Sequence, residues 1–299
     1  MSTFVLPTGE VDLGLVLAPL AMLTRDPTLR LVPGRMERAT VTPDGTGTLV
    51  VQWDRDRPEA RVTTHGDAAA WLAERAPAAL GLLDDPTGFA PAARPLAELW
   101  RRHRGDRVGA TGTLWHDLAW TVVQQRVTRQ EAAATWYRLV HALGSPAPGV
   151  EGLLAPPDPV AVARLTYESL HRLGLERRRA EHLLAAARCA HRLHRLPDLD
   201  RTTATSALSA VRGVGQWTVS CLSCFTWGDA DTVITGDAGI PSMVAWLLAG
   251  ERRADDARML QLLEPYRPHR YRVVRLAFAG GARPPRRGPR APGHDIRHR

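Results

Sequence analysis

The sequence predicts an α+β chain. A small N-terminal β/α domain, residues 1–95, precedes an all-α domain, residues 96–283, and a basic tail, residues 284–299. Three observations carry this prediction. Strand-like runs rich in β-branched residues, separated by turn residues, fall within residues 11–66. Beyond residue 95 apolar residues recur at helical spacing. Between the two regions lies DDPTGFAPAARP (84–95), rich in Pro and Gly, which reads as a boundary.

The candidate strands are VDLGLVLAPL (11–20), RMERATVTP (35–43), GTLVVQW (47–53) and EARVTTHG (59–66), punctuated by DPT, VPG and TPDGTG. DAAAWLAERAPAALGLL (67–83) reads as a helix. In the second half GTLWHDLAWTVVQQ (112–125) has helical periodicity. Thr128 and Glu131 form a T-x-x-E capping box, so the next helix starts near Arg129. Two short helices follow in PPDPVAVARL and YESLHRLG, the second closing at Gly174. Further helices are expected over 176–193, 203–211, 216–227, 240–250, 255–265 and 269–280. The tail is basic and proline-rich, and is expected to be disordered. No internal repeat is evident.

Composition excludes several classes. The hydrophobic fraction is 44% and the charged fraction 23%, ordinary for a globular protein. No apolar run approaches the ~18 residues of a membrane span, so no membrane partner is expected. The segment MSTFVLPTGEVDLG lacks a basic region followed by an apolar core and does not read as a secretory signal. Cys189, Cys221 and Cys224 are an odd, sparse set, which argues for a reducing, cytoplasmic setting and against a disulfide framework. Net charge is +8, unevenly placed: net −3 over residues 1–95 and net +11 over 96–299. A basic half points to a polyanion such as nucleic acid, or is merely a solvated surface. All 39 basic residues are Arg; the chain has no Lys.

The stretch VRGVGQWTVS (211–220) places two glycines, an aromatic residue and a helix start close together. Gly213 and Gly215 permit a tight hairpin between two helices. The uncovered N–H groups at the second helix's N-terminus suit a phosphate. The alternative is an ordinary corner with no ligand. Twenty residues after Trp217, a β-branched run ends in Gly236-Asp237 and another helix begins. Asp237 is then a helix N-cap, or something more.

The combination resembles the helix-hairpin-helix DNA glycosylase superfamily. Its signature is a hairpin L-x-G-x-G-x-x-T-A followed some twenty residues later by an essential Asp. The DNA-3-methyladenine glycosylase II (alkylbase) branch is most similar. WHDLAWTVVQQRVTRQEAAATWYRLVHALG resembles its entry helices, HRLGLERRRAEHLLAAA its L-G-L-x-x-x-[RK]-A-E segment, and DDARMLQLLEPYRPHRYRVVRL its final helices. The likeness covers roughly 96–283, with a weaker match at the N-terminal strands.

The resemblance implies a monofunctional glycosylase of base excision repair, acting on double-stranded DNA that contains alkylated bases. It also implies a monomer with no cofactor, though a monovalent cation at the hairpin backbone is known in the family. Asp237 would stabilise the oxocarbenium-like sugar and orient a water; a helix N-terminus favours its anion. Arg212, Gly213, Val214, Gly215 and Gln216 would hold the DNA backbone. Trp217 stands where lyase-type relatives carry a Schiff-base Lys; it lines the base pocket or packs in the core. Phe278 matches another pocket aromatic, or is buried by the last helix. Cys221 stands where some relatives have Tyr, and Ala238-Gly239 where bulkier residues are common. These smaller side chains suggest a roomier pocket. Gln124 and Gln125 would meet the base or the opposite strand, or are helix-end filler. RVGATG (107–112) matches the region that supplies an apolar wedge, with Val108 the candidate. Arg177 to Arg179 would neutralise phosphates or lie on a solvated face. Cys221-x-x-Cys224 lacks further metal ligands and reads as buried small hydrophobes. The alternatives are a non-catalytic helix-hairpin-helix DNA-binding protein, or a glycosylase specialised for bulkier alkyl adducts. Missing Lys and a missing cysteine cluster argue against a glycosylase/lyase of the endonuclease III kind.

Overall fold

The computed structural model describes residues 1–285; the tail from residue 286 on lies outside the described residues. β1 (Ser2–Pro7), α1 (Leu13–Leu17), β2 (Leu29–Val32), β3 (Arg35–Thr42), β4 (Gly45–Trp53) and β5 (Glu59–Gly66) open the chain. The five strands form one antiparallel sheet in the order β1-β5-β4-β3-β2. β3 and β4 pair from Arg35↔Gln52 to Thr42↔Gly45, a register that sets Met36 opposite Val51. Alternation then sends one set of side chains to each face. Met36, Leu49, Val51, Ala60 and Val62 pack on Leu13 and Leu17 of α1 and on Ala76 and Leu80 in and after α2 (Ala69–Ala79).

The stretch 11–20 is not the expected strand. It forms α1 and a short 3-10 turn, Ala18–Ala21. The apolar alternation at 11, 13, 15 and 17 is misleading, because Leu13, Val16 and Leu17 are the buried positions, a helical spacing. Asp12 caps the helix, accepting the Leu15 N–H at 3.2 Å. β1 and β2, which the sequence did not signal, lie at the two edges of the sheet, where short and partly exposed strands are usual.

The remaining elements are helical apart from a two-residue ladder. They are α3 (Arg94–Arg102), α4 (Leu114–Gln124), α5 (Arg129–Leu143), β6 (Ser145–Pro146), β7 (Leu154–Ala155), α6 (Pro159–Ala163), α7 (Tyr167–His171), α8 (Arg177–Leu193), α9 (Arg201–Ser209), α10 (Gln216–Phe225), α11 (Ile240–Ala249), α12 (Asp256–Leu263) and α13 (Arg270–Ala279). The Thr128–Glu131 capping box is present, with both reciprocal bonds made. No helix among the described residues is long and apolar enough to cross a membrane. One apolar cluster joins α4, α5, α8, α9 and α10; a second joins α3, α10, α11, α12 and α13.

α4 is the central helix: every residue from Leu114 to Val123 is buried. Three of them are polar; Thr121 bonds back to the Asp117 carbonyl, while His116 and Asp117 reach the sheet. Arg38 of β3 donates to Asp117 at 2.9 Å and to His116 Nδ1 at 3.3 Å. Asp117 also accepts from Thr111, from Thr113 at 3.2 Å and from Thr226 at 2.8 Å. Because Arg38 can only donate, His116 Nδ1 accepts, and the ring proton sits on Nε2, 3.3 Å from Thr28 Oγ1. Thr28 donates in turn to Asp26, which also accepts from Trp136 Nε1 at 2.8 Å. A second set of buried pairs ties α13 to the chain before α4. Arg272 meets Asp84 through two bonds of 2.9 Å, and Arg275 meets Asp106 and the Leu15 carbonyl.

Two predictions follow from this polar seam. Asp117→Ala takes the carboxylate away from Arg38 and from three hydroxyls in a buried site, so it should cost about 3–5 kcal/mol in urea unfolding. A loss below about 1 kcal/mol, the level of an exposed pair, would contradict the assignment. Burial first, and the Arg38 charge second, hold the His116 pKa well below its usual 6.5. The unfolded chain therefore takes up a proton near pH 6.5 that the folded chain refuses. Stability should fall as pH drops from 7 toward 5, and fall less in His116→Gln.

Candidate active site

The hairpin joins α9 to α10. Asp200 caps α9, accepting the Thr203 N–H at 3.0 Å. Val211 and Val214 are buried in the main core and anchor the turn from below. Gly213 has φ +87°, a left-handed backbone, and a Cβ there would lie 2.1 Å from the His182 ring. Gly215 is different. It is the N-cap of α10 with φ −92° and ψ −178°, extended rather than left-handed. A Cβ there would meet nothing within 4 Å, so its backbone faces open space.

The hairpin is braced from α4 and α8. Gln125 Nε2 donates to the Gly213 carbonyl and to Thr218 Oγ1, each at 3.0 Å, and Gln125 Oε1 accepts from His182 Nδ1 at 2.8 Å. Both ends of the Gln125 amide are thus engaged inside the protein, in line with the helix-end reading that stood beside a contact to base or strand. Gln124 folds back on Trp120 O at 3.1 Å. Burial, then the charges of Arg178 and Arg212, lower the His182 pKa; Glu176 and Glu181 oppose them. The carbonyls of Val211, Gly213 and Gly215 are already engaged by Val214 N–H, Gln125 and Val219 N–H.

Asp237 stands beside α10 and α11. Its Oδ1 accepts the N–H groups of Gly239 at 2.8 Å and Ile240 at 3.0 Å, at the start of α11. Its Oδ2 accepts Trp217 Nε1 at 3.2 Å. The half-buried indole packs on the second apolar cluster while its polar edge holds the carboxylate. The loop leading to Asp237 is fastened to three helices. Asp229 pairs with Arg201 of α9, Asp231 with Arg270 of α13 at 2.7 Å, and Gly236 N–H donates to Asp256 of α12 at 2.8 Å. Ala238 and Gly239 are exposed, and a Cβ on Gly239 would meet only Asp237 Oδ1, at 3.7 Å.

Other predicted residues fall elsewhere. Val108 is 3% exposed, lies in the core with α13, and gives its N–H to Asp84. A residue so buried cannot enter a duplex, so the wedge expectation is overturned. The exposed residue beside the brace is Arg126, which follows Gln125 with φ +58°. Arg179 is buried and serves the scaffold, donating to Val123 O at 2.7 Å at the end of α4. Arg178 is exposed, Arg177 is exposed above the Tyr167 ring, and Arg212 pairs with Glu181 at 2.8 Å. Gln216 is exposed and bonds Ser220 at 3.2 Å. Phe278 is 41% exposed, so the last helix does not bury it, and no other aromatic ring packs on it among the described residues. Cys221 and Cys224 are buried on α10, and burial first, then the Asp237 charge, pushes the Cys221 thiol up.

Two helices joined by a glycine hairpin, with a fixed carboxylate at the next helix start, define a helix-hairpin-helix protein. The chain belongs to the HhH-GPD superfamily of base excision DNA repair proteins, whose family model matches residues 119–268. A Bacillus subtilis (strain 168) protein that carries the name DNA-3-methyladenine glycosylase is 24% identical over 153 residues, 50% of this chain and 52% of that protein. The chain thus matches about half the length of that relative. A 3-methyladenine DNA glycosylase structure from Archaeoglobus fulgidus aligns with TM-score 0.74 at 19% identity, covering 93% of this chain and 98% of that one. An 8-oxoguanine glycosylase/lyase from Clostridium acetobutylicum, solved with double-stranded DNA, aligns with TM-score 0.64 at 11% identity, covering 91% and 92%. At these identities the two structures establish a shared fold.

The two hairpin glycines should respond differently to substitution. Gly213→Ala combines a left-handed φ with a clash, so the thermal midpoint should fall by several degrees, for a cost of about 1–3 kcal/mol. Gly215→Ala should stay within about 1 kcal/mol of wild type, the scale of an N-cap change. Equal losses in the two variants would refute the geometry.

Proposed function

We propose that the protein is a monofunctional DNA glycosylase that flips alkylated purines of the 3-methyladenine class out of double-stranded DNA and hydrolyses their N-glycosidic bond. The observation that carries the reading is the Asp237 carboxylate, fixed by three donors next to an open-faced hairpin. The exposed N–H groups around Gly215 would take a DNA phosphate, with the α10 dipole behind them. Such contacts place the duplex without reading its sequence. The nucleotide beside that phosphate would be extruded toward Asp237 and stack on Trp217.

An N-alkylated purine already carries positive charge and leaves readily. The charge then passes to the sugar, where Asp237 near C1′ stabilises it and orients the attacking water. The indole bond keeps the carboxylate pointed rather than free to rotate. A lyase would need an amine at C1′. Trp217 occupies the matching place on α10, and the sequence contains no Lys. This composition favours hydrolysis over the lyase route, although one structural neighbour is named a glycosylase/lyase. The exposed Ala238 and Gly239 beside Asp237 support acceptance of adducts larger than methyl. Cys221, buried against the core, adds no open surface to that side.

The deciding experiment compares wild type and Asp237→Asn on methylated duplex DNA, with released bases identified by chromatography. Wild type should release alkylpurines and leave intact abasic strands without alkali. Borohydride should trap no covalent protein–DNA adduct. Asp237→Asn should bind an abasic-analogue duplex normally and release base at least about 100-fold more slowly, the scale seen when one electrostatic group is removed. Binding by both proteins with release by neither would reduce the reading to a DNA-binding module.

A further inference from the structure

We propose that Asp256 is a positioning residue for the base-release step: its carboxylate holds the Gly236 backbone and so fixes how Asp237 enters the site. The inference rests on the glycosylase reading of Asp237. Gly236 N–H donates to Asp256 Oδ2 at 2.8 Å, across twenty residues of chain. Gly236 immediately precedes Asp237 and has φ +78°, so the chain turns there through a left-handed conformation. A Cβ at Gly236 would have room, its nearest neighbour being Trp217 Cβ at 3.7 Å. Glycine is therefore required by the backbone turn and not by crowding. Holding the N–H of that residue fixes the peptide plane from which Asp237 departs.

Two observations separate this role from ordinary helix capping. Asp256 is the first residue of α12, but the cap is its neighbour Asp255, which accepts the Arg258 N–H at 2.9 Å. The Arg258 guanidinium goes to Glu251 and Gln261, not to Asp256. Meanwhile Asp256 Oδ1 is buried without a partner among the described residues. A carboxylate oxygen in that state opposes folding. Asp256 thus does little for its own helix and incurs desolvation, while its one bond lands beside the proposed catalytic carboxylate. The other fasteners of the loop, Asp229 and Asp231, act six or more residues earlier in the chain.

The carboxylate of Asp237 has to sit within a fraction of an ångström of its working place, because a displacement of about 1 Å can cost about 100-fold in rate. Its side-chain bonds to Trp217, Gly239 and Ile240 define where it ends. The Gly236 contact defines where it starts. Loss of the start point lets the backbone swing while the fold stays intact.

The test uses the full chain with Asp256→Ala and Asp256→Asn, the latter offering an amide oxygen to the same N–H. Single-turnover base release from methylated duplex should slow about 10- to 100-fold in Asp256→Ala. It should stay near wild type in Asp256→Asn. Affinity for an abasic-analogue duplex should match wild type in both variants, and thermal midpoints should stay within about 3 °C. Hydrogen exchange at the Gly236 amide should accelerate in Asp256→Ala only. A wild-type rate in Asp256→Ala overturns the inference, as does equal slowing in both variants. A weakened affinity that accounts for the slower rate also overturns it, and so does failure of Asp256→Ala to fold, which makes Asp256 a scaffold residue. Wild-type protein that releases no base overturns the glycosylase reading, and this inference with it; the wild-type activity keeps the two failures distinguishable.

Discussion

The clasp of α4 on α10 is the constraint from which the site follows. Near its start α4 carries Asp117, which binds Thr226 just past the end of α10. Beyond its last turn comes Gln125, which binds the Gly213 carbonyl and Thr218 at the beginning of α10. The two helices are thereby gripped at opposite ends by hydrogen bonds, with apolar packing between them. Asp117 is itself locked to the sheet through Arg38. The sheet therefore bears on the hairpin without touching it. Removing either partner of such a buried pair leaves an uncompensated charge, so the pair disfavours arrangements that would separate Arg38 from Asp117. The bonds from Asp117 and Gln125 hold α10, which carries Trp217, at both of its ends.

Trp217 transmits the geometry one step further. A phenyl ring in its place would fill much of the same volume but leave Asp237 Oδ2 without its donor. The carboxylate is gripped from α10 by the indole, from α11 by two N–H groups, and from behind by the fastened loop. Three helices with separate anchors converge on one side chain. Such convergence is what preorganisation requires: in the proposed reaction the group must be in place before charge develops on the sugar.

Much of this frame was legible in the sequence, for identifiable reasons. The capping box at Thr128, the hairpin glycines and the Gly-Asp before α11 are local signals: each residue acts on neighbours within a few positions. The failures share the opposite property. The stretch 11–20 alternates like a strand, and the competing cue was a single capping Asp12. Val108 sits in a Gly-rich loop that reads as exposed, yet α13 and Asp84 bury it from far along the chain. Arg179 sits in a run of three arginines that looks uniformly solvated. Only the helical phase of α8 turns it inward, onto the end of α4. Gln125 and Asp256 likewise act across gaps of 88 and 20 residues. No local pattern marks such partners. For Gln125 the sequence left a contact with DNA and a helix-end role equally open; in the structure the amide's three bonds are all internal.

The absence of Lys gives the charge of this protein an unusual structure. Arginine fills every cationic role, and several copies are internal. Arg38, Arg179, Arg272 and Arg275 each face a carboxylate partner inside or at the edge of the fold. Guanidinium groups suit such sites because their planar forks satisfy a carboxylate while remaining charged. These pairs are neutral as units, so they add nothing to the field seen by a polyanion. Residues 1–285 hold 34 Arg and 30 acidic residues, a net +4, and residues 286–299 hold five Arg and one Asp, another +4. Residues 1–285 thus have a modest excess of charge spread over a large surface. For the proposed hold on a phosphate backbone, the placement of charge over residues 1–285 then matters more than its sum. The hairpin amides, the α10 dipole, and exposed arginines such as Arg126, Arg178 and Arg212 lie close to Gln125, His182 and Gly213 in the structure or the chain. Placement of this kind favours a register on the duplex over tight nonspecific binding. Under the proposed glycosylase role, the protein would have to leave undamaged DNA quickly and stop where a base yields to flipping, which calls for that balance.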